Sequence, residues 1–283
     1  MRVGITGANG YVGGILAQGC KDRGHQVTAL VRHPEQVRLG PLFGAAIAFD
    51  LEAGVDVARL GQLEAIVHCA HDFSSPHPRV QNQRNVAGSL HLLQCAQKAK
   101  VERFLFISSM SAFPGCRSLY GQMKLAVERA VLAEGGMVVR PGLIFGDPLG
   151  GMMQALDKLV GRLPLVPLVG LGKNSLYLCH DRDLQELVNW LLLHGAPEPR
   201  PLLAAASEAM TLKQILTRLG QIRHKTPHFV PIPSALIYGL LKLPEALGLQ
   251  FRIRSDGLVG LLHQDPQPCF DLPAAGLAFR AFF

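Results

Sequence analysis

The chain has 283 residues, of which 48% are hydrophobic and 17% charged, with a formal net charge of +7. That length accommodates one large α/β unit with a smaller appended lobe, and the composition excludes a disordered or low-complexity chain. The Lys and Arg residues are scattered, with no run of five and no basic stripe interleaved with aromatics, which argues against nucleic-acid binding and leaves an anionic cofactor or substrate to account for part of the charge.

The first half alternates short β-branched runs with helical patterns, the mark of a parallel sheet with crossover helices. Arg2–Thr6 reads as the first strand, Tyr11–Arg23 as a helix ending at Gly24, and Gln26–Val31 as the second strand. Ala46–Phe49 and Ala65–Cys69 follow as strands on either side of a helical Val57–Leu63 segment, then a long helix over Arg84–Ala99. Phe104–Ser108, Leu119–Glu134 and Met137–Arg140 give strand, helix and strand. After Gly146 the character shifts: Met152–Leu159 is helical, Leu163–Lys173 is loop with short strands, and Asp183–Leu193 is an amphipathic helix. Thr211–Leu219 is a further helix with Thr211 as its N-cap, and the tail Phe251–Phe283 reads as irregular. The expected fold is α/β, a doubly wound parallel sheet over 1–146 with a small C-terminal substrate lobe over 147–283, the helix at 183–194 packing back on the first unit.

The six cysteines stand apart with no C-x-x-C pair, so they read as reduced residues of a cytosolic protein rather than a disulfide framework or a zinc site. No metal-ligand spacing is found among the histidines, and no metal is expected. The first residues are strand-like and show no secretory leader, which makes the expected location cytoplasmic. The apolar stretch Phe229–Leu249 is broken by Pro231, Pro233 and Pro244 and carries Lys242 and Glu245, so no integral membrane segment is expected, although docking to a surface stays open.

Thr6-Gly7-Ala8-Asn9-Gly10-Tyr11-Val12-Gly13 joins the first strand to the first helix with G-x-x-G-x-x-G spacing. Glycines are required where the chain turns sharply, where backbone approaches a pyrophosphate and where helix meets strand; the helix N-terminus adds free N–H groups and a positive dipole. The segment points to dinucleotide binding. Arg32 stands nineteen residues after Gly13, at the end of the second strand. An Arg there suits a 2′-phosphate, where an acid would accept from a ribose 2′-hydroxyl, so NADP is favoured and NAD stays open. Asp50 either hydrogen-bonds an adenine amino group or caps the following turn.

Ser108-Ser109-Met110-Ser111 ends the fifth strand and Tyr120-Gly-Gln-Met-Lys124 opens the next helix. Tyr120 and Lys124, four apart, share one helical face, and an ammonium beside a phenol lowers the phenol's pKa. His71, just past the fourth strand, either touches substrate or has no chemical role, and His180 reads as a structural hydrogen-bonder.

In their order and spacing, Thr6–Gly13, Asp50-Leu51, His68-Cys69-Ala70-His71, Asn85-Val-Ala-Gly88, Ser108-Ser109, Tyr120-x-x-x-Lys124, Arg140-Pro-Gly-Leu-Ile-Phe-Gly146 and Cys179-His180-Asp-Arg-Asp183-Leu184 resemble the short-chain dehydrogenase/reductase superfamily. The resemblance is to its extended or atypical branch, near the NAD-dependent epimerase/dehydratases, and covers nearly the whole chain. It implies a Rossmann sheet, with Tyr120 as general acid/base, Lys124 holding the nicotinamide ribose and tuning Tyr120, and Ser109 as the hydrogen-bonding serine. It further implies cofactor contacts at Gly7, Asn9, Gly10, Tyr11, Val12, Gly13, Arg32, Asp50, Leu51, Ala70 and Pro141. Asn85 supports the site from its helix, and Pro141-Gly142 edges the nicotinamide ring. Phe113-Pro114-Gly115 replaces the family's usual Tyr-Gly: aligning Phe113 selects Ser109, while aligning Gly115 puts Met110 in the slot and leaves Ser111 as neighbour.

The implied activity is that of an NADP-preferring oxidoreductase or epimerase acting on a hydroxyl or carbonyl carbon of a small molecule. No Asp-Glu pair stands beside Ser109 to suggest dehydration. Two other readings stay open. Arg32 within Val-Arg-His-Pro resembles atypical members that bind NADP without catalysis, as redox sensors or assembly factors; Arg162, Lys173, Arg252 and Arg254 would meet the diphosphate of a nucleotide sugar. The resemblance also implies a homodimer.

Overall fold

A computed structural model of the chain describes residues 1–75, 77–246, 254–271 and 277–282. The first half lays down β1 (Arg2–Thr6), α1 (Tyr11–Asp22), β2 (Gln26–Val31), β3 (Ala45–Asp50), β4 (Gly54–Val55), α2 (Val57–Leu60) and β5 (Ala65–His68). Next come α3 (Pro78–Asn82), a π-helical turn over Gln83–Ala87, α4 (Gly88–Lys98), β6 (Arg103–Ile107), α5 (Leu119–Ala133), β7 (Met137–Pro141) and β8 (Leu143–Phe145). The second half adds α6 (Gly151–Arg162), β9 (Leu165–Val169), β10 (Ser175–Leu176), β11 (Leu178–His180), α7 (Asp181–His194), β12 (Leu202–Ala204) and β13 (Met210–Thr211). It closes with α8 (Leu212–Ile222), β14 (His228–Ile232), α9 (Ser234–Ala246) and α10 (Ser255–Leu262).

Eight strands form the main sheet in the order β12-β7-β6-β5-β1-β2-β3-β4. Every neighbouring pair is parallel except β3 with β4. Parallel strands covered on both faces read as continuous apolar runs, which is what β1, β2, β5 and β6 show. One face is covered by α1 and α7, where Leu16 and Ala17 meet Leu184, Leu187 and Leu191. At Gly19 a side chain would collide with Gln185, whose amide instead donates to the Ile15 carbonyl at 2.8 Å. The opposite face is covered by α4 and α5 through Leu92, Val127 and Val131.

The strand order reverses beside β1, and in such sheets a crevice opens at the carboxyl ends of the strands at that switch point. Thr6 and His68, paired in register at the ends of β1 and β5, mark it.

A smaller layer gathers α6, α8, β9 and β14 around Phe145, Met153, Val166, Leu168 and Ile215. Strand β12 joins the main sheet beside β7, although sequence patterning left it in the second half. The tail is corrected in part: Ser255–Leu262 is helical, and Arg280 returns to α7, its backbone N–H and guanidinium both reaching the buried Asp183. An eight-residue helix held by tertiary contacts leaves a weak periodic signal in sequence. Among the described residues no helix is long and apolar enough to cross a membrane.

Candidate active site

Gly7 adopts a left-handed φ of 65°, and a Cβ there would press on the Ala70 backbone at 3.1 Å. At Gly13 a Cβ would strike the Gly7 carbonyl, so helix α1 can start this close to β1 only without a side chain. Gly10 is the N-cap of α1 and brings no side-chain acceptor to its first turn. The N–H groups of Tyr11, Val12 and Gly13 therefore form an uncapped, positively polarised end facing the crevice, the donor set a pyrophosphate requires. Tyr11 packs its ring on Gly150 and Gly151 of the smaller layer; burial, with Asp181 nearby, pushes its phenol up to about 12.

Beneath the loop runs a buried polar relay. Thr6 Oγ1 accepts from the Cys69 and Ala70 amides, each at 3.0 Å, and sends its own proton to His68 Nδ1 at 2.7 Å. His68 Nε2–H donates to Ser89 Oγ at 2.8 Å, and Ser89 donates to the Asn85 carbonyl. Burial, with Lys124 nearby, holds His68 down at about 3, so the imidazole is neutral with its proton on Nε2. The Asn85 side chain accepts from the Asp72 amide at 2.6 Å and donates to the Asp72 carbonyl at 2.9 Å, clamping the loop after β5. Gly88 lets α4 meet the Leu51 carbonyl.

Tyr120 and Lys124 occupy the first two turns of α5, and the Ser109 hydroxyl lies close enough to the Tyr120 phenol to act on its ionisation. Ser109 Oγ also accepts from the Ser111 amide at 3.1 Å. Ser111 lies instead against Gly121, whose Cβ would collide with its carbonyl; the geometry puts Ser109 rather than Ser111 at the phenol. Pro141, at the end of β7, receives the Met110 amide at 3.1 Å and so borders the same strand ends.

The expected lowering of the phenol is not found. Burial raises Tyr120 to about 12, with only the nearby Ser109 hydroxyl acting against it. The cause is where the ammonium goes: Lys124 Nζ donates to the Ile107 carbonyl at 2.8 Å and lies 4.5 Å over the Phe106 ring, against 5.9 Å from the Tyr120 ring. Lys124 itself is 4% exposed, and burial lowers it to about 8.

Arg32 directly follows β2 with its guanidinium mostly exposed, 3.9 Å from Asp50. Asp50 caps its turn, one oxygen accepting from the Glu52 amide at 2.7 Å and the Ala53 amide at 3.1 Å. A groove of about 300 Å3 opens beside Asn9, lined by Arg38, Leu42 and Phe43. Arg38 was missed in the sequence, where a second cation six residues past Arg32 is the available signal.

Several contacts to α5 had no sequence signal because they come from distant segments. Asp256 of α10 accepts from the Leu119 amide at 2.7 Å and the Tyr120 amide at 2.9 Å, supplementing the Ser118 N-cap. Phe73 stacks on Tyr120 with ring centroids 5.7 Å apart, and His71 meets Tyr120 edge-on at 4.9 Å. Arg254 donates to the Phe73 and Ser75 carbonyls, which commits it to that loop. Arg162 and Lys173 are exposed on the smaller layer, and Arg252 lies outside the described residues. His180 caps α7 by accepting from the Arg182 amide at 3.1 Å.

Over 199 residues the chain is 28% identical to a 3β-hydroxysteroid dehydrogenase/Δ5→4-isomerase of Mycobacterium tuberculosis, a match covering 60% of this chain and 54% of that protein. The chain thus spans about half the length of that curated relative. A UDP-glucose 4-epimerase of Vibrio cholerae is 23% identical over 81% of this chain and 78% of its own length. Among solved structures, the UDP-glucose 4-epimerase of Thermotoga maritima with UDP-glucose superposes with a TM-score of 0.67 at 20% identity, covering 82% of this chain and 86% of that one, which shows the fold. The model of the NAD dependent epimerase/dehydratase family matches residues 3–202, and the chain belongs to that family.

Proposed function

We propose that the chain is an NADP-preferring oxidoreductase or epimerase acting on a hydroxyl or carbonyl carbon of a small molecule. The observation that carries this reading is the Ser109 hydroxyl beside the Tyr120 phenol, close enough to act on its ionisation, at the carboxyl ends of β6 and β7 beside an uncapped helix N-terminus. A nicotinamide held there would supply the hydride acceptor or donor. Tyr120 Oη exchanges the proton of the substrate oxygen, and Ser109 Oγ fixes that oxygen within reach of the phenol. For Lys124 to hold a ribose and pull the phenol down, its ammonium has to leave the Ile107 carbonyl, a rotation of a flexible side chain. Arg32 and Arg38 together suit a 2′-phosphate beyond Asn9.

Hydride turnover on a panel of ketones, aldehydes and nucleotide sugars, run alongside nucleotide titration, tests the proposal. Tyr120→Phe is expected to lower turnover at least 100-fold while leaving nucleotide affinity within a factor of three, the scale of losing a positioned acid/base. Nucleotide binding by both proteins with turnover by neither would instead support a non-catalytic NADP binder, the reading favoured by the raised phenol and averted ammonium. Arg32→Ala is expected to cut the NADP over NAD preference about tenfold, the worth of one charge-assisted contact. Equal affinities for the two dinucleotides in the wild type would remove the NADP assignment. Homodimerisation is also proposed from the family resemblance, and sedimentation showing only monomer at micromolar concentration would refute it.

A further inference from the structure

Helix α9 contradicts the ordinary rule for an apolar helix in water, because none of its described side chains is buried. Its sequence is SALIYGLLKLPEA, and among its described side chains only a stripe through Ser234, Ile237, Leu241 and Glu245 is half-covered. Leu236, Leu240 and Leu243, spaced along one side, are 56%, 61% and 67% exposed, with Tyr238 at 40%. The neighbouring ribbon adds to this surface. Leu165 and Val230 lie on the same outer side of the parallel pair β9–β14 and are 59% and 40% exposed, and Leu171 follows at the end of β9. Exposed apolar surface of this extent marks a site of association.

The segments that build this face carry an excess of cations. Residues 209–244, which build α8, β14 and most of α9, contain Lys213, Arg218, Arg223, Lys225 and Lys242 and no Asp or Glu. Residues 158–180, which build β9 and its flanks, contain Lys158, Arg162 and Lys173 and again no acid. Asp157 and Glu245, just outside these segments, each pair with a cation. Two copies meeting through this face would bring like charges together, whereas an anionic surface complements them.

We propose that α9 and the outer face of the β9–β14 ribbon dock this protein on an anionic lipid bilayer surface. The thirteen described residues of α9 reach roughly 20 Å against a hydrocarbon core of about 30 Å, and Lys242 and Glu245 interrupt its apolar run, so α9 lies in the interfacial plane with its leucines among the acyl chains and the cations at the headgroups. The docked face is tied to α10, where Glu245 accepts from the Ser255 amide and hydroxyl, each at 2.7 Å, and α10 in turn holds the start of α5 through Asp256.

Co-sedimentation of the full chain with vesicles tests this, using phosphatidylglycerol mixed with phosphatidylcholine against phosphatidylcholine alone. The wild type is expected to bind the anionic vesicles, with binding falling as salt is raised. The double substitution Leu240→Glu with Leu243→Glu, at exposed positions, is expected to weaken binding at least tenfold while leaving the unfolding midpoint and nucleotide affinity unchanged. Absence of binding to anionic vesicles, or equal binding by the double variant, overturns the proposal. So does a dimer in sedimentation velocity that the double variant converts to monomer, which would make a second copy the occupant.

Discussion

Glu128 in the sheet layer and Asp157 in the smaller layer both take a bidentate arginine, but from different surroundings. The Glu128 side chain is 1% exposed, accepts from Arg140 at 2.8 and 2.6 Å, and also receives the Ser108 hydroxyl one residue before Ser109. Asp157 takes Arg223 at 2.6 Å through both oxygens, yet Arg223 is 40% exposed and the pair ties α6 to the end of α8 at the surface. Identical chemistry thus serves different ends. In the sheet layer, buried polar groups hold the strand ends that carry the candidate site. In the smaller layer, charge stays in water and the apolar face of α9 is left outward.

That contrast makes graded predictions. The largest effect is expected from Glu128→Ala, which leaves the Arg140 guanidinium and the Ser108 hydroxyl without their acceptor in a dry setting. A loss of about 4 kcal/mol in urea unfolding is expected, and Glu128→Leu combined with Arg140→Met should recover most of it, since removing both charges also removes their desolvation. Next comes Lys124. Burial holds it at about 8, so between pH 8 and the ordinary 10.5 the unfolded chain keeps a proton that the folded chain has released. Stability therefore rises with pH across that window, and the wild type should gain about 3 kcal/mol on Lys124→Met between pH 7.5 and 10.5. Parallel pH profiles for the two proteins would show that Lys124 is not desolvated. The raised Tyr120 acts in the opposite direction, but only above pH 10.

The same contrast explains what the sequence made legible. Strands β1, β2, β5 and β6 were readable because both their faces are buried and their residues are almost all apolar. The glycine loop was readable because Gly7 and Gly13 answer to local backbone geometry. Helical spacing put Tyr120 and Lys124 on one face, but only the family resemblance singled them out with Ser109, and it left Ser111 as the alternative. The direction of the Tyr120 shift was misread because it depends on where the Lys124 side chain points, which spacing does not encode. Asp256, more than 130 residues from Leu119, is a solvated acid in sequence and becomes a helix cap only through the docking of α10. Helix α9 was hidden by its prolines, of which Pro231 and Pro233 precede it and Pro244 falls in its final turn.

Asp256 is the intermediate case, a charge from the tail acting on the sheet layer. Asp256→Ala removes two acceptors from the first turn of α5 and is expected to cost about 1 kcal/mol, with faster hydrogen exchange at the Leu119 and Tyr120 amides. Unchanged exchange there would mean that the Ser118 cap alone holds the turn.

The smallest effect belongs to Asp157→Asn. Its partner reaches solvent, so the attraction acts in a high effective dielectric, and ordering the long Arg223 side chain offsets part of the gain. A loss below about 1 kcal/mol is expected, shrinking further in 0.5 M salt, where exposed charges are screened over a few ångströms. The comparison turns on this value. If Asp157→Asn cost as much as Glu128→Ala, burial would not be what separates the two layers, and the smaller layer would have to be as rigidly held as the sheet. A small, salt-sensitive loss means that the smaller layer rests on its apolar cluster around Phe145, Met153 and Ile215, leaving its cations at the surface for contacts outside the chain.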